Sequence, residues 1–294
     1  MLSIAQSDNA YYCFEWIPTE NGPKVVNYKS IKENFSYRRN NFNEVISKIK
    51  PKIRDVSDSL SIVVNINNVK ISSYIVDNIE NSNQAIDWYE ENILDKDYLK
   101  KFEVFYYPMN SNENSQLLLV VSFNKVLKKE IKLLASKFSY NLLYLSVDIF
   151  SAYMTAQQLY KTPLDQDSLI WKIDKNNLHY LTYYENNNLS SFVSFRISKK
   201  SYNFYHKIGT IRAIDVLENF INKIIIERKS YNNIKNIFVY QTKSNYSLIK
   251  SYVNDKKLNV KLLNISNIFN EKVKSEYNLL PYVENGISLR GVDV

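Results

Sequence analysis

Apolar and aromatic positions come in short runs over the first thirty residues, broken by polar turns. Residues 2–5 form a brief apolar run, residues 11–17 are aromatic and β-rich, and residues 24–31 return as a strand. Between the last two lies Pro18-Thr19-Glu20-Asn21-Gly22-Pro23, whose Asn-Gly pair is the strongest hairpin signal in the chain. Residues 42–50 carry helical spacing (Phe42, Val45, Ile46, Ile49) and stop at Pro51. Strands follow at 60–66 and 69–76, then a helix at 81–94 with Ile86, Tyr89 and Ile93 on one face. Residues 103–107 and 116–123 read as strands, the second so apolar that it fits a buried central position. Asn124 is placed to cap a helix over 126–138, and a short strand at 142–145 precedes a helix from Asp148 to Tyr160.

The pattern then restarts. Residues 168–173, 178–185 and 191–197 form a second three-strand meander with Asn-rich turns. A long helix at 211–227, a strand at 236–240, a helix at 245–253, a strand at 259–263 and a helical or irregular tail follow. Each half therefore opens with an antiparallel meander and continues with alternating helices and strands, a duplication of one topology. The expected fold is α/β: two halves, 1–164 and 165–294, each a mixed sheet flanked by helices, with a cleft between them. The boundary falls in the polar, proline-bearing stretch 161–168.

The chain has 294 residues, 45% of them hydrophobic, which is enough for a substantial core. No apolar run approaches the roughly 18–20 residues that span a bilayer. The opening residues lack the basic and apolar regions of a signal peptide, and a lone Cys13 makes no internal disulfide. A cytosolic protein is the expectation. The net charge of +8 comes from lysines scattered in doublets, without an arginine cluster, so it reads as a bias of composition and not as a nucleic-acid footprint.

Glycine changes the picture more. There are four, Gly22, Gly209, Gly286 and Gly291, where about twenty would be usual at ~7%. Phosphate-binding loops need close backbone approach and positive φ, which glycine supplies. Its scarcity argues against nucleotide enzymes in general.

Certain segments resemble a known family. Asn285-Gly286-Ile287-Ser288-Leu289-Arg290-Gly291 resembles the Gly-Leu-Ala-Leu-Arg-Gly ending of the PilM family of type IV pilus assembly proteins, actin-like ATPases related to the cytoplasmic part of the type II secretion L protein. Residues 116–123 with the lysine-rich helix after them, 142–148 with theirs, and Phe192-Val193-Ser194-Phe195-Arg196 are similar to further passages of that family. The resemblance implies a duplicated actin-like (ribonuclease H-like) fold. It also locates a nucleotide site from which this chain departs. The first phosphate loop falls on Ser3-Ile4-Ala5-Gln6-Ser7-Asp8, with Ser3 at the metal-associated aspartate and Ala5 at the glycine. The second falls on residues 173–178, with Asp174 at or one position from the acidic residue and no glycine. Two Gly-Gly places fall near Lys199-Lys200 and Gln241-Thr242-Lys243. Side chains then stand where phosphate oxygens would meet backbone N–H groups, and Mg²⁺ loses a ligand of its water shell. The expectation is no ATPase activity and no cofactor.

The resemblance implies an inert scaffold of a type IV pilus or related secretion machine. Its partner would be the N-terminal cytosolic segment of a single-span inner-membrane protein, it would lie peripherally at the inner membrane, and a homo-oligomer is allowed. The alternative is a divergent ATPase or phosphotransferase in which Ser7, Asn176, Asn177 and Gln241, beside Asp174, replace glycine amides in holding ATP and Mg²⁺. A basic nucleic-acid binder is the third reading. Its aromatic residues have no RNP-like spacing, so no nucleic-acid partner is expected.

Other constellations read blandly. His179 and His206 have no ligand spacing and suit a strand surface and a loop. Cys13 suits a small buried hydrophobe, and Asp87, Glu90 and Glu91 a solvated helix face. There is no Walker A and no G-x-S-x-G motif. Most of the 24 tyrosines suit half-buried strands.

Overall fold

The computed structural model describes every residue except 8–9, 33–41, 50–58, 78–81, 110–114, 162, 164, 200, 243–244, 270–274 and 291–294. The first meander is β1 (Leu2–Gln6), β2 (Ala10–Thr19) and β3 (Gly22–Lys32). The Asn-Gly signal is where the β2–β3 turn forms, with Thr19 opposite Gly22 and Gly22 at φ +97°. Helix α1 (Phe42–Ile49) leads to β4 (Ser59–Val64), which lies parallel to β1.

The chain then leaves this sheet. Strand β5 (Lys70–Asp77), helices α2 (Ser82–Asn92) and α3 (Lys96–Lys101), and strands β6 (Phe102–Met109) and β7 (Ser115–Asn124) form a separate three-stranded antiparallel sheet, β5-β7-β6. The apolar β7 is central, but in this small sheet. One face packs Leu118 and Val120 on Ala85 and Tyr89 of α2, while Leu117, Leu119 and Val121 join the main core. Two apolar faces explain the continuous run.

Helix α4 (Lys125–Lys137), capped by Asn124 Oδ1 accepting from the Val126 N–H at 2.8 Å, leads to β8 (Asn141–Val147) and α5 (Asp148–Tyr160). Strand β8 completes the sheet β3-β2-β1-β4-β8.

The second sheet begins with β9 (Ser168–Ile173), β10 (Leu178–Glu185) and β11 (Asn188–Ser198). A further strand, β12 (Ser201–Gly209), extends the meander, so the Lys199 region is a hairpin turn with Lys199 at φ +57°. Ten residues after the place near Lys199-Lys200 to which the resemblance assigns a Gly-Gly, the passage from strand to helix lies at Gly209-Thr210, where Thr210 Oγ1 caps α6 (Ile211–Phe220). A glycine does stand there, at φ +154°, but a Cβ on it would meet Ser191 Cβ at 2.5 Å, so it is required for packing on β11. A π-helical segment (Ile221–Ile226), β13 (Asn236–Gln241), α7 (Ser247–Val253) and β14 (Val260–Leu262) finish the order β12-β11-β10-β9-β13-β14.

The last described segment, a 3₁₀ run at Glu276–Leu289, packs against α5 and touches β1, β2, β4 and β13. With α5 it lies between the two sheets. Its Gly286 sits on the α5 backbone beside Ser151 and Thr155.

His179 is buried on β10, not on a strand surface, and accepts from Trp171 Nε1 at Nδ1 over 3.0 Å. His206 lies on β12, not in a loop. Burial pushes both histidines down, His179 to about 4. The folded state thus holds fewer protons than the unfolded state between the folded value and 6.5. Stability is complete above the unfolded value and falls as pH drops. From pH 7 to pH 5, His179 alone is expected to cost about 2 kcal/mol, read as a lower urea midpoint. His179→Gln, which keeps an acceptor for Trp171, should flatten that dependence. An unchanged pH profile in this variant would refute the assignment.

Candidate functional site

The ends of β1, β4 and β9 and the start of α5 converge between the two sheets. Strand β9 carries Trp171 toward α7, where it meets Tyr252, and Lys172 toward the other half. Lys172 is wholly buried. Its Nζ lies 2.6 Å from Asp148 Oδ2 and 2.7 Å from Glu284 Oε1, both also wholly buried. Asp148 opens α5, and its carboxylate accepts from the Ile149 N–H at 2.6 Å and the Ile66 N–H at 3.1 Å. Glu284 comes from the 3₁₀ run. The hydroxyl-bearing Tyr180 and Tyr240 flank Lys172 on the neighbouring strands. Burial pushes the Asp148 carboxyl upward, against the pull of the Lys172 ammonium.

The network continues on both sides. Asn285 Oδ1 accepts from Ser3 Oγ at 2.7 Å, and its Nδ2 donates to the Tyr12 carbonyl at 3.1 Å. Glu284 and Asn285 are thus consecutive residues that hold one sheet each. Gln6 Oε1 at the end of β1 accepts from Asn68 Nδ2 at 2.7 Å, and Tyr180 donates to Asn67 Oδ1 at 2.9 Å across the halves. Beside this contact a cavity of about 220 Å³ is lined by Ile66, Val69, Phe192, Ser194 and His206 among others, with Ser194 Oγ 2.8 Å from His206 Nδ1.

The residues singled out from the sequence are distributed as follows. Asp174 and Gln241 stand at the ends of the adjacent strands β9 and β13, where the Thr242 N–H donates to the Ile173 carbonyl at 3.1 Å. Asn176 and Asn177 are exposed at the β9–β10 turn, and Asn177 adopts φ +57°. Ser7 is buried at the end of β1 in the other half, its N–H donating to the Ala10 carbonyl at 2.9 Å. Ser3 is spent on Asn285. Asp8, Lys200, Lys243 and Gly291 lie outside the described residues.

The β9–β10 turn is closed on itself. Asp174 Oδ1 accepts from the Asn176 N–H at 2.7 Å and the Leu178 N–H at 2.8 Å, and the Asn177 N–H donates to the Asp174 carbonyl at 3.1 Å. Three successive turn N–H groups, the kind of donors that cradle a phosphate, end on this one aspartate, two on its carboxylate and one on its carbonyl. Among the described residues no group of three or more His, Cys, Asp and Glu side chains is arranged to hold a metal ion.

Lys172, Asp148 and Glu284 were not singled out from the sequence as site residues. The available signal was Lys172 itself, a cation inside the run Ser168-Leu169-Ile170-Trp171-Lys172-Ile173. A strand buried on both faces tolerates a charge only if acids come to it.

The sequence matches no protein-family model and no curated protein. Among solved structures, a chain of a PilM–PilN type IV pilus biogenesis complex aligns over 100% of this chain and 98% of its own length, with a TM-score of 0.62 at 12% identity. A Bacteroides thetaiotaomicron protein with an actin-like ATPase fold aligns over 92% and 91% at 11% identity and a TM-score of 0.44. The cytoplasmic domain of EpsL, an inner membrane component of the Vibrio cholerae type II secretion system, aligns over 96% and 93% at 7% identity and 0.39. No helix of the described residues is long and apolar enough to cross a membrane. Two meander-led sheets enclosing α5 and the C-terminal 3₁₀ run, matched end to end by that pilus-complex chain, give this protein the fold of the actin-like ATPases.

Proposed function

We propose that the chain is a catalytically inert, cytoplasmic actin-like scaffold of a type IV pilus or related secretion machine, binding the cytosolic tail of an inner-membrane protein. The observation that carries the inert part is the β9–β10 turn, whose N–H groups are satisfied by Asp174. ATP would have to displace a carboxylate that makes two short hydrogen bonds and would meet its charge. Ser3 supplies no carboxylate for magnesium. The residues present do not fit Mg-ATP. The partner class is suggested by the PilM–PilN complex, whose chain this one matches over its whole length.

One observation favours the phosphotransferase reading. Ser7 Oγ and Gln241 Oε1 are buried with no hydrogen-bond partner among the described residues, as polar groups awaiting a ligand would be. A thermal melt with millimolar Mg-ATP separates the two. Ligand at one hundred times its Kd adds about 2.7 kcal/mol, or about 5–10 °C for a chain of this size. The scaffold reading expects no shift, together with capture of a single-span protein from detergent-solubilised membranes. A shift abolished by Gln241→Ala would establish the nucleotide reading in its place.

A further inference from the structure

Helix α4 buries Leu127, Ile131, Leu134 and Ala135, and it packs on β7 and β8 with α1 and α3 beside it. Its outward side is unusual in two respects. It carries Lys125, Lys128, Lys129, Lys132 and Lys137 against a single acid, Glu130. Among these lysines stand two bare aliphatic side chains, Val126 at 64% and Leu133 at 60% exposure. They are seven residues apart, two turns, so they lie on one stripe; Lys125, Lys129 and Lys132 run along one side of it, and Glu130 and Lys137 lie on the other. Lys128 is paired with Glu103, but Lys125, Lys129 and Lys132 have no acid partner among the described residues. The adjoining α3 adds Lys96, Lys100 and Lys101, of which Lys100 is paired with Asp97.

A solvated helix face accounts for the lysines alone. It does not account for Val126 and Leu133, which leave most of their apolar surface in water, 64% and 60% exposed. A row of cations beside an aliphatic stripe matches an anionic lipid surface: lysine stems lie along the acyl boundary, ammonium groups reach the headgroups, and the aliphatic side chains enter beside them. Nucleic acid fits less well, since the face offers neither arginine forks nor aromatic rings for stacking.

We propose that the outward face of α4 is a docking surface for an anionic membrane, through Lys125, Lys129 and Lys132 beside Val126 and Leu133. This rests on the membrane-proximal reading above and adds direct lipid contact by the chain itself. Its test needs no protein partner, so its failure leaves the partner-mediated scaffold standing.

The full chain is floated with vesicles of phosphatidylcholine alone and of phosphatidylcholine with about one third phosphatidylglycerol, at low and high salt. Binding is expected only to the anionic vesicles and to weaken with salt. At about 1 kcal/mol per lysine near the surface, Lys125→Gln/Lys129→Gln/Lys132→Gln should bind roughly 100-fold more weakly. Val126→Asn/Leu133→Asn should also lose affinity, while keeping the charge. A control of equal charge loss on the second half, Lys223→Gln/Lys229→Gln/Lys256→Gln, should bind as the wild type does. Circular dichroism melts confirm that each variant is folded. Absence of binding to anionic vesicles overturns the proposal, as does equal loss in the control. So does wild-type affinity in either α4 variant, or an α4-dependent affinity confined to DNA or RNA.

Discussion

Lys172→Met should lower the melting temperature by about 10 °C or more. The substitution keeps the length and apolar stem of the side chain but removes the single cation from a site where Asp148 and Glu284 have no exposure to water. Breaking a buried ion pair by removing one partner costs about 3–5 kcal/mol, because the remaining charge is left without compensation. In a chain of this size each kcal/mol is worth about 2–4 °C. The damage concerns two carboxyls and not a lost methylene, so it should be relieved by neutralising them. Lys172→Met/Asp148→Asn/Glu284→Gln is expected to recover part of the loss: the charges are gone, but the Ile149 and Ile66 N–H groups use separate carboxylate oxygens, and an amide at position 148 keeps an oxygen for only one of them. A single variant that melts with the wild type would mean the triad contributes nothing to the contact between the halves. A triple variant no better than the single would mean packing, and not charge, sets the cost.

Gly286→Ala should be still more disruptive for the weight of one methyl group. A Cβ at this position would stand far inside 3.0 Å of Ser151 O, Thr155 N and Thr155 Oγ1. Two of these are backbone atoms of α5 and cannot rotate away. Overpacking ordinarily costs about 1–3 kcal/mol, and here it pushes apart the two segments on which both sheets rest. The push would also strain Thr155 Oγ1 to the Val283 carbonyl at 2.7 Å and the Ile287 N–H to Ser151 Oγ at 2.8 Å. The expected result is loss of soluble protein, or a melt at least about 10 °C lower. Thr155→Ala removes only the hydroxyl and should not rescue it. Rescue by that second change would show that the helices sit farther apart than the structure has them.

These sites differ in how far the sequence disclosed them. Gly286 was visible as one of four glycines and as part of the ending that resembles the PilM family. Asp174 was visible where the resemblance puts a second phosphate loop, and the structure adds that its carboxylate accepts from the N–H groups of its own hairpin turn. Lys172 carried a signal, a cation within an apolar strand, but its partners lie 24 residues before it and 112 after it in sequence. No local pattern joins such residues. Strand β12 was hidden because its alternating exposed and half-buried positions, Ser201–Gly209, present no apolar run. Its omission put the Gly-Gly place that the resemblance implies near Lys199-Lys200, directly after β11, whereas the described strand-to-helix passage is at Gly209-Thr210.

Alternation, capping and turn residues act over a few positions, and by themselves they determined the meanders, most helices and the doubled order of elements. Asn124 at the start of α4 and Asn21-Gly22 between β2 and β3 act through contacts two or three residues away. Tertiary structure alone decided that β5, β6 and β7 leave the main sheet, since strand pairing is a choice among partners that a strand's own residues do not encode. It also decided that the space between the halves is tied together by Lys172, Asp148, Glu284 and Asn285, because a buried charge is tolerable only where distant segments bring its counterpart within hydrogen-bonding reach.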